Sequence, residues 1–136
     1  MKRRRGFSLL ELLLVLALLG IIGAITAANL QNYLKALRVN ESARSFSNYI
    51  TQARNRALKR SEAMSVTLAG NRVQIHDAAG NLVREGRLPH RAAVAPPTTL
   101  NFSGRGLPDQ QYVFTVTTGP KTRRVVVLPT GKVILP

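Results

Sequence analysis

Cysteine and tryptophan are absent from this 136-residue chain, histidine occurs twice, acidic residues occur six times, and no proline appears before Pro89. Without cysteine there is no disulfide, no thiol nucleophile and no thiolate metal ligand, so a folded domain must be held by its core alone. The two histidines, His76 and His90, offer no metal-ligand spacing. Asp77 follows His76 on a strand-like segment, which would send those two side chains to opposite faces. No serine-nucleophile motif and no glycine-rich phosphate loop after a strand is present. Catalysis, a metal and a cofactor are therefore not expected. The late arrival of proline leaves a long helix uninterrupted from Phe7 to Arg60.

What the chain has in quantity is positive charge and, near its start, apolar sequence. Lys2, Arg3, Arg4 and Arg5 precede Gly6-Phe7-Ser8-Leu9-Leu10-Glu11, and from Leu12 to Ala28 no residue is charged. At about 1.5 Å of rise per residue, residues 7–28 reach across a hydrocarbon core of ~30 Å. An acid at mid-membrane would cost roughly 2.5–3.5 kcal/mol on insertion scales, so Glu11 near the end of this run asks for a named partner. Basic residues ahead of the run place the N-terminus on the cytoplasmic side and everything after Ala28 outside. A secretory signal peptide cut near Ala24-Ile25-Thr26-Ala27-Ala28, or a plain signal anchor, would show the same basic-then-apolar order. Neither accounts for Glu11.

Arg5-Gly6-Phe7-Ser8-Leu9-Leu10-Glu11 with its Leu-rich continuation resembles the class III leader of type IV pilins and type II secretion pseudopilins. The resemblance implies that residues 1–6 are a leader removed by a membrane-embedded prepilin peptidase, with the cut between Gly6 and Phe7. It implies that Phe7 becomes N-methylphenylalanine and that Glu11 guides assembly with other pilin or pseudopilin subunits through the N-terminal helix. It also implies a bacterial inner-membrane protein, single-pass with its head exported, that moves into a pilus or pseudopilus. Simple electrostatics agrees. Cutting after Gly6 puts a positive amine at the head of an apolar helix, and a carboxylate at the same depth on a neighbouring subunit can neutralise it. Desolvation offsets much of that attraction, so such a pair sets register more than it adds stability. Many major pilins close a C-terminal loop with a cysteine pair; its absence points to a minor pilin or a pseudopilin.

Residues 29–60 continue as an amphipathic helix. Ala43, Phe46, Ile50, Ala53 and Ala57 recur at helical spacing, with Lys35, Arg38, Arg44, Arg54 and Lys59 on the intervening, solvated face. Phe46 and Tyr49 read as core or boundary packing. With the apolar run, this makes one helix of about 80 Å. After Arg60 the period changes to two. Segments 65–69 and 72–76 flank Gly70-Asn71 as a hairpin, and 82–88, 100–103, 112–118, 122–128 and 132–135 read as further strands. Pro89, Pro96 and Pro97 mark a loop-rich stretch. The fold class expected is α+β: a long N-terminal transmembrane and amphipathic helix, with antiparallel sheets from residues 61–136 packed on its second half.

The last third carries a second resemblance. Leu100-Asn101-Phe102-Ser103-Gly104-Arg105-Gly106, Tyr112 to Val116, Arg123 to Val127 and Thr130-Gly131-Lys132-Val133 are similar to the GspH/FimT branch of minor pilins and pseudopilins. Three functions stay open: a minor subunit of a type IV pilus, with DNA uptake as one role open to it, a pseudopilin in protein export, or an anchored protein outside any filament. Removing the four leader charges from twenty Lys and Arg leaves sixteen against six acids. A polyanion such as double-stranded DNA is the obvious partner for such a surface. The expected contacts are Arg105 in a glycine-flanked turn, Lys121, Arg123 and Arg124 near a hairpin tip, and Lys132 at the start of the final strand. They would meet phosphates without reading bases. The competing account is bulk charge on a solvated face.

Overall fold

The computed structural model describes residues 8–136. The leader expected at residues 1–6, and the cleavage pair Gly6 and Phe7, lie outside the described residues. The longest element is the helix α1, Leu9–Arg60, and the chain divides into two units, Met1–Leu34 and Lys35–Pro136.

In the first unit the described residues are helical from Leu9 onward, as a proline-free Leu/Ala/Ile sequence should be. Among the described residues of this unit, every one from 8 to 27 and from 29 to 34 is exposed. One stretch of α1 is long and apolar enough to cross a membrane, and none of it is buried.

The second unit is the α+β head. Eight strands follow the helix: β1 Met64–Ala69, β2 Arg72–His76, β3 Leu82–Arg87, β4 Ala93–Ala95, β5 Thr99–Phe102, β6 Tyr112–Thr118, β7 Lys121–Val127 and β8 Val133–Ile134. They form two four-stranded antiparallel sheets, ordered β3-β2-β1-β5 and β4-β6-β7-β8. The hairpin at Gly70-Asn71 closes with Ala69 opposite Arg72. Strand β4 stands inside the stretch read as loop. Three residues are too few to display a period, and β4 is defined by its pairing with β6 rather than by its own pattern.

Helix and sheets share one core. Val39, Ala43, Phe46, Ile50, Ala53 and Ala57 are buried along one face of α1. Against them pack Met64, Val66, Val73, Ile75, Leu100 and Phe102 from the first sheet, and Phe114, Val116, Val125 and Val127 from the second. Phe46 meets Phe114 edge-on with centroids 5.2 Å apart, a favoured aromatic geometry. Tyr49 is half-buried at the boundary, with the Arg84 guanidinium 5.9 Å from its ring centroid. The alternation read along β1, β2, β6 and β7 is thus the alternation of core and solvent.

Candidate functional site

Ser8 caps the start of α1. Its hydroxyl oxygen accepts from the Glu11 backbone N–H at 3.4 Å, and its carbonyl accepts from Leu12 N–H at 3.2 Å. Ser-x-x-Glu is capping-box spacing, a signal the sequence carries beside the leader motif. The Glu11 carboxylate therefore sits in the first turn, where the partial positive charge of the helix end favours an anion. Around it Leu9, Leu10, Leu12, Leu13 and Leu14 are more than half exposed. A charge-bearing, capped helix end followed by uncovered leucines is suited to insertion among other apolar helices.

The five cations expected to meet DNA fall into two groups. Arg105 lies in the turn between Ser103 and Leu107, which closes through Gly106 N–H to Ser103 O and Ser103 N–H to Leu107 O. Lys132 follows the turn in which Gly131 N–H donates to Leu128 O. Arg54 ties these turns together: its Nε donates to Gly106 O at 3.1 Å, and its terminal NH2 to Thr130 O at 3.2 Å. The sequence reading placed Arg54 on a solvated face. It is half-buried instead and serves as a clamp. The clamp also explains two glycines of the family-like tail. Gly106 and Gly131 have φ of 67° and 77°, and a Cβ on Gly131 would come within 2.6 Å of both Arg54 Nε and Gly106 O.

Lys121 belongs to the other end of β7. It pairs with Thr118 at the β6–β7 turn, whereas Val127 pairs with Val133 beside Lys132. Six residues of strand, about 20 Å, separate the two ends. Arg123 shares the inward side of β7 with Val125 and Val127 and is half-buried, while Arg124 is exposed on the other side. Arg123 lines a small hollow of about 210 Å³ with Asn40, Ala43, Arg44 and Leu135. The structure thus places Lys121, Arg123 and Arg124 along β7 from its turn. Arg105 and Lys132 are brought together elsewhere.

Near that same turn, Lys35, Arg38, His90, Arg91, Thr118, Gly119 and Pro120 surround a depression of about 410 Å³. His90 and Arg91 both adopt left-handed backbone conformations, with φ of 55° and 52°. Each costs about 1–3 kcal/mol in a residue with a side chain. Several contacts hold them there. The hydroxyl of fully buried Ser42 is shared between Arg38 O at 2.9 Å and Pro89 O at 3.1 Å, and Ala92 N–H donates to Pro89 O at 3.1 Å. His90 Nε2 lies 2.7 Å from Glu41 Oε2. The motifs singled out in the sequence do not include this corner, because its cations come from residues more than fifty positions apart.

Both aspartates are engaged structurally. The Tyr112 hydroxyl donates to Asp109 Oδ1 at 2.6 Å, and Asn101 Nδ2 reaches Asp109 Oδ2 at 3.4 Å. Partial burial pushes Asp109 up, but these hydrogen bonds outweigh it and hold the carboxyl below its ordinary range; burial and Asp109 push Tyr112 up. Asp77 stands just past β2 rather than on it. It accepts from the backbone and side chain of Asn81 and from Ala79 N–H, and these bonds lower its pKa. Among the described residues, no three His, Asp or Glu side chains are placed to hold a metal ion.

Residues 1–27 match the prokaryotic N-terminal methylation motif, and residues 42–131 match the family described as type II transport protein GspH. A pilin-like protein, PilA1 of Thermus thermophilus, is 29% identical over 95% of this chain and 96% of its own length. The fold is similar to that of the type IV minor pilin FimU of Pseudomonas aeruginosa, with a TM-score of 0.64 and 16% identity over 76% of this chain and 92% of FimU. It is also similar to the minor pseudopilin EpsH of the Vibrio cholerae type 2 secretion system, with a TM-score of 0.57 and 14% identity over 73% of this chain and 96% of EpsH.

Proposed function

Because the chain belongs to the GspH/FimT-like family of type IV pilins and pseudopilins, whose members are structural and non-catalytic, we propose that it is a minor type IV pilin. In this reading a prepilin peptidase cuts between Gly6 and Phe7 and methylates Phe7. The chain waits in the inner membrane with its N-terminus cytoplasmic, and Glu11 then guides docking against a neighbouring subunit. The observation that carries the reading is the uncovered apolar length of α1 with one acid in its capped first turn. A membrane, or the packed helices of a filament, would cover such a surface. The similarity to a pilin-like protein over 95% of the chain supports the pilin reading.

The expected test is recovery of the chain in sheared surface filaments. Glu11→Ala should leave cutting intact, since the acid lies beyond the scissile bond, and should remove the chain from filaments. A pseudopilin acting in protein export is the second reading, favoured by the GspH family match. It predicts that deleting the gene stops secretion and leaves surface filaments unchanged.

Contact with duplex DNA is the finer part of the proposal, supported by the excess of cations and by the exposed Arg105, Lys121, Arg124 and Lys132 with half-buried Arg123. Binding should be weak, ~10⁻⁴–10⁻⁶ M, and fall steeply with salt. Changing Arg105, Lys121, Arg123 and Arg124 to alanine in the detergent-solubilised full chain should remove most of it, and changing Arg56 and Lys59 less. Equal losses would mean bulk attraction without a site. Arg54 is unsuited to either set, because its removal would loosen two turns.

A further inference from the structure

We propose that the depression lined by Lys35, Arg38 and Arg91 is a binding site for the phosphate of an anionic phospholipid headgroup.

Three side chains of one sign converge there from α1 and from the Pro89–Arg91 turn, with a neutral wall of Thr118, Gly119 and Pro120 opposite. Among the described residues none of the three forms an ion pair. The nearby acid, Glu41, is engaged by His90 at 2.7 Å. Grouped cations of one sign repel one another, and an added anion would relieve that repulsion. At about 410 Å³ the depression has room for a single headgroup.

The backbone is an independent sign. Arg91 and His90 occupy left-handed conformations that favour glycine. That strain is sustained by the buried Ser42, by Ala92 and by Leu88, whose N–H donates to Asn71 O at 2.8 Å. Non-glycine residues held this way concentrate at ligand clamps, and here they form one side of the depression.

Chain length favours a lipid over a soluble phosphate ester. Lys35 is seven residues beyond Ala28, where the apolar run ends. Whatever direction the chain takes, Lys35 lies within about 25 Å of that point. The site rests on the membrane-anchored reading of α1; it neighbours Lys121 at the β6–β7 turn and is distinct from the DNA contacts proposed at Arg105 and Arg124.

The test uses the full chain in nanodiscs of zwitterionic phosphatidylcholine, with rising fractions of phosphatidylglycerol. Amide hydrogen exchange of residues 88–92 and 118–121 is the readout. Phosphatidylglycerol should slow exchange in both segments. The fraction giving half the effect should rise roughly fivefold for each cation removed by Lys35→Ala, Arg38→Ala or Arg91→Gly. Arg105→Ala with Lys132→Ala should leave it unchanged. The lipid comparison on the unaltered chain needs no variant to fold. Equal exchange in the two lipids would overturn the proposal. So would variants that respond like the parent, or the same protection from inorganic phosphate in phosphatidylcholine discs. Failure of insertion into the discs would instead overturn the membrane reading on which the site rests.

Discussion

The two stretches of α1, up to Leu34 and from Lys35 onward, are both rich in apolar residues, yet they meet opposite surroundings. Leu16, Leu19, Ile22 and Ile25 are 56–62% exposed, whereas Phe46, Ile50, Ala53 and Ala57 are at most 1% exposed. In the second stretch apolar residues form one stripe, and the chain's own sheets cover it. In the first they occur all round the helix, and no surface of the described chain covers them. A helix apolar on every side is a membrane span or the core of something larger. The stripe of the second stretch is thus covered within the chain, while the first is left uncovered by the described residues.

That contrast breaks most visibly in the core. Phe46→Ala should destabilise the head by about 3–5 kcal/mol, since it removes a fully buried ring and its edge-on contact with Phe114. Urea unfolding of the detergent-solubilised chain, followed by the β-sheet circular dichroism signal, measures it. Next comes Arg54→Ala. Losing two charged hydrogen bonds, to Gly106 O and Thr130 O, should cost about 1.5–3 kcal/mol and speed amide exchange at residues 103–107 and 128–131 together. Exchange that rose in one turn alone would mean that Arg54 does not couple them.

A smaller effect is expected from acid. The folded pKa of Asp109 lies below the ordinary 3.8, so protonation favours the unfolded chain. Its contribution is present above 3.8 and is lost as pH falls through the lower folded value. Asp109→Asn should flatten that part of a stability-against-pH curve. Smallest of all, Leu16→Ala and Leu19→Ala should leave head unfolding within about 0.5 kcal/mol, although each removes a large apolar side chain. A loss comparable to that of Phe46→Ala would show that the head's stability depends on the first stretch.

How much of this was legible in the sequence follows from the range of the interactions. The stripe from Ala43 to Ala57 is local periodicity, and the structure buries those same five residues. Strand β6 runs Tyr112–Thr118 as read, because seven alternating residues between turns leave little freedom. Strand β4 was hidden, since its reason for existing is β6, more than twenty residues later. Arg54 was misjudged for the same cause: its two acceptors are 52 and 76 residues away. The grouping of Lys35, Arg38 and Arg91 was invisible until the turn at Pro89 met the helix. The N-terminal methylation motif is entirely local, so the resemblance it carries needs no fold to be read.

The most direct measurement is the mass of the N-terminus of the chain extracted from its native membrane. A processed filament subunit should begin at Phe7 and carry one added methyl group, and Gly6→Leu should leave the leader in place. An intact Met1 terminus on the unaltered chain, or a chain beginning after Ala28, would contradict the account.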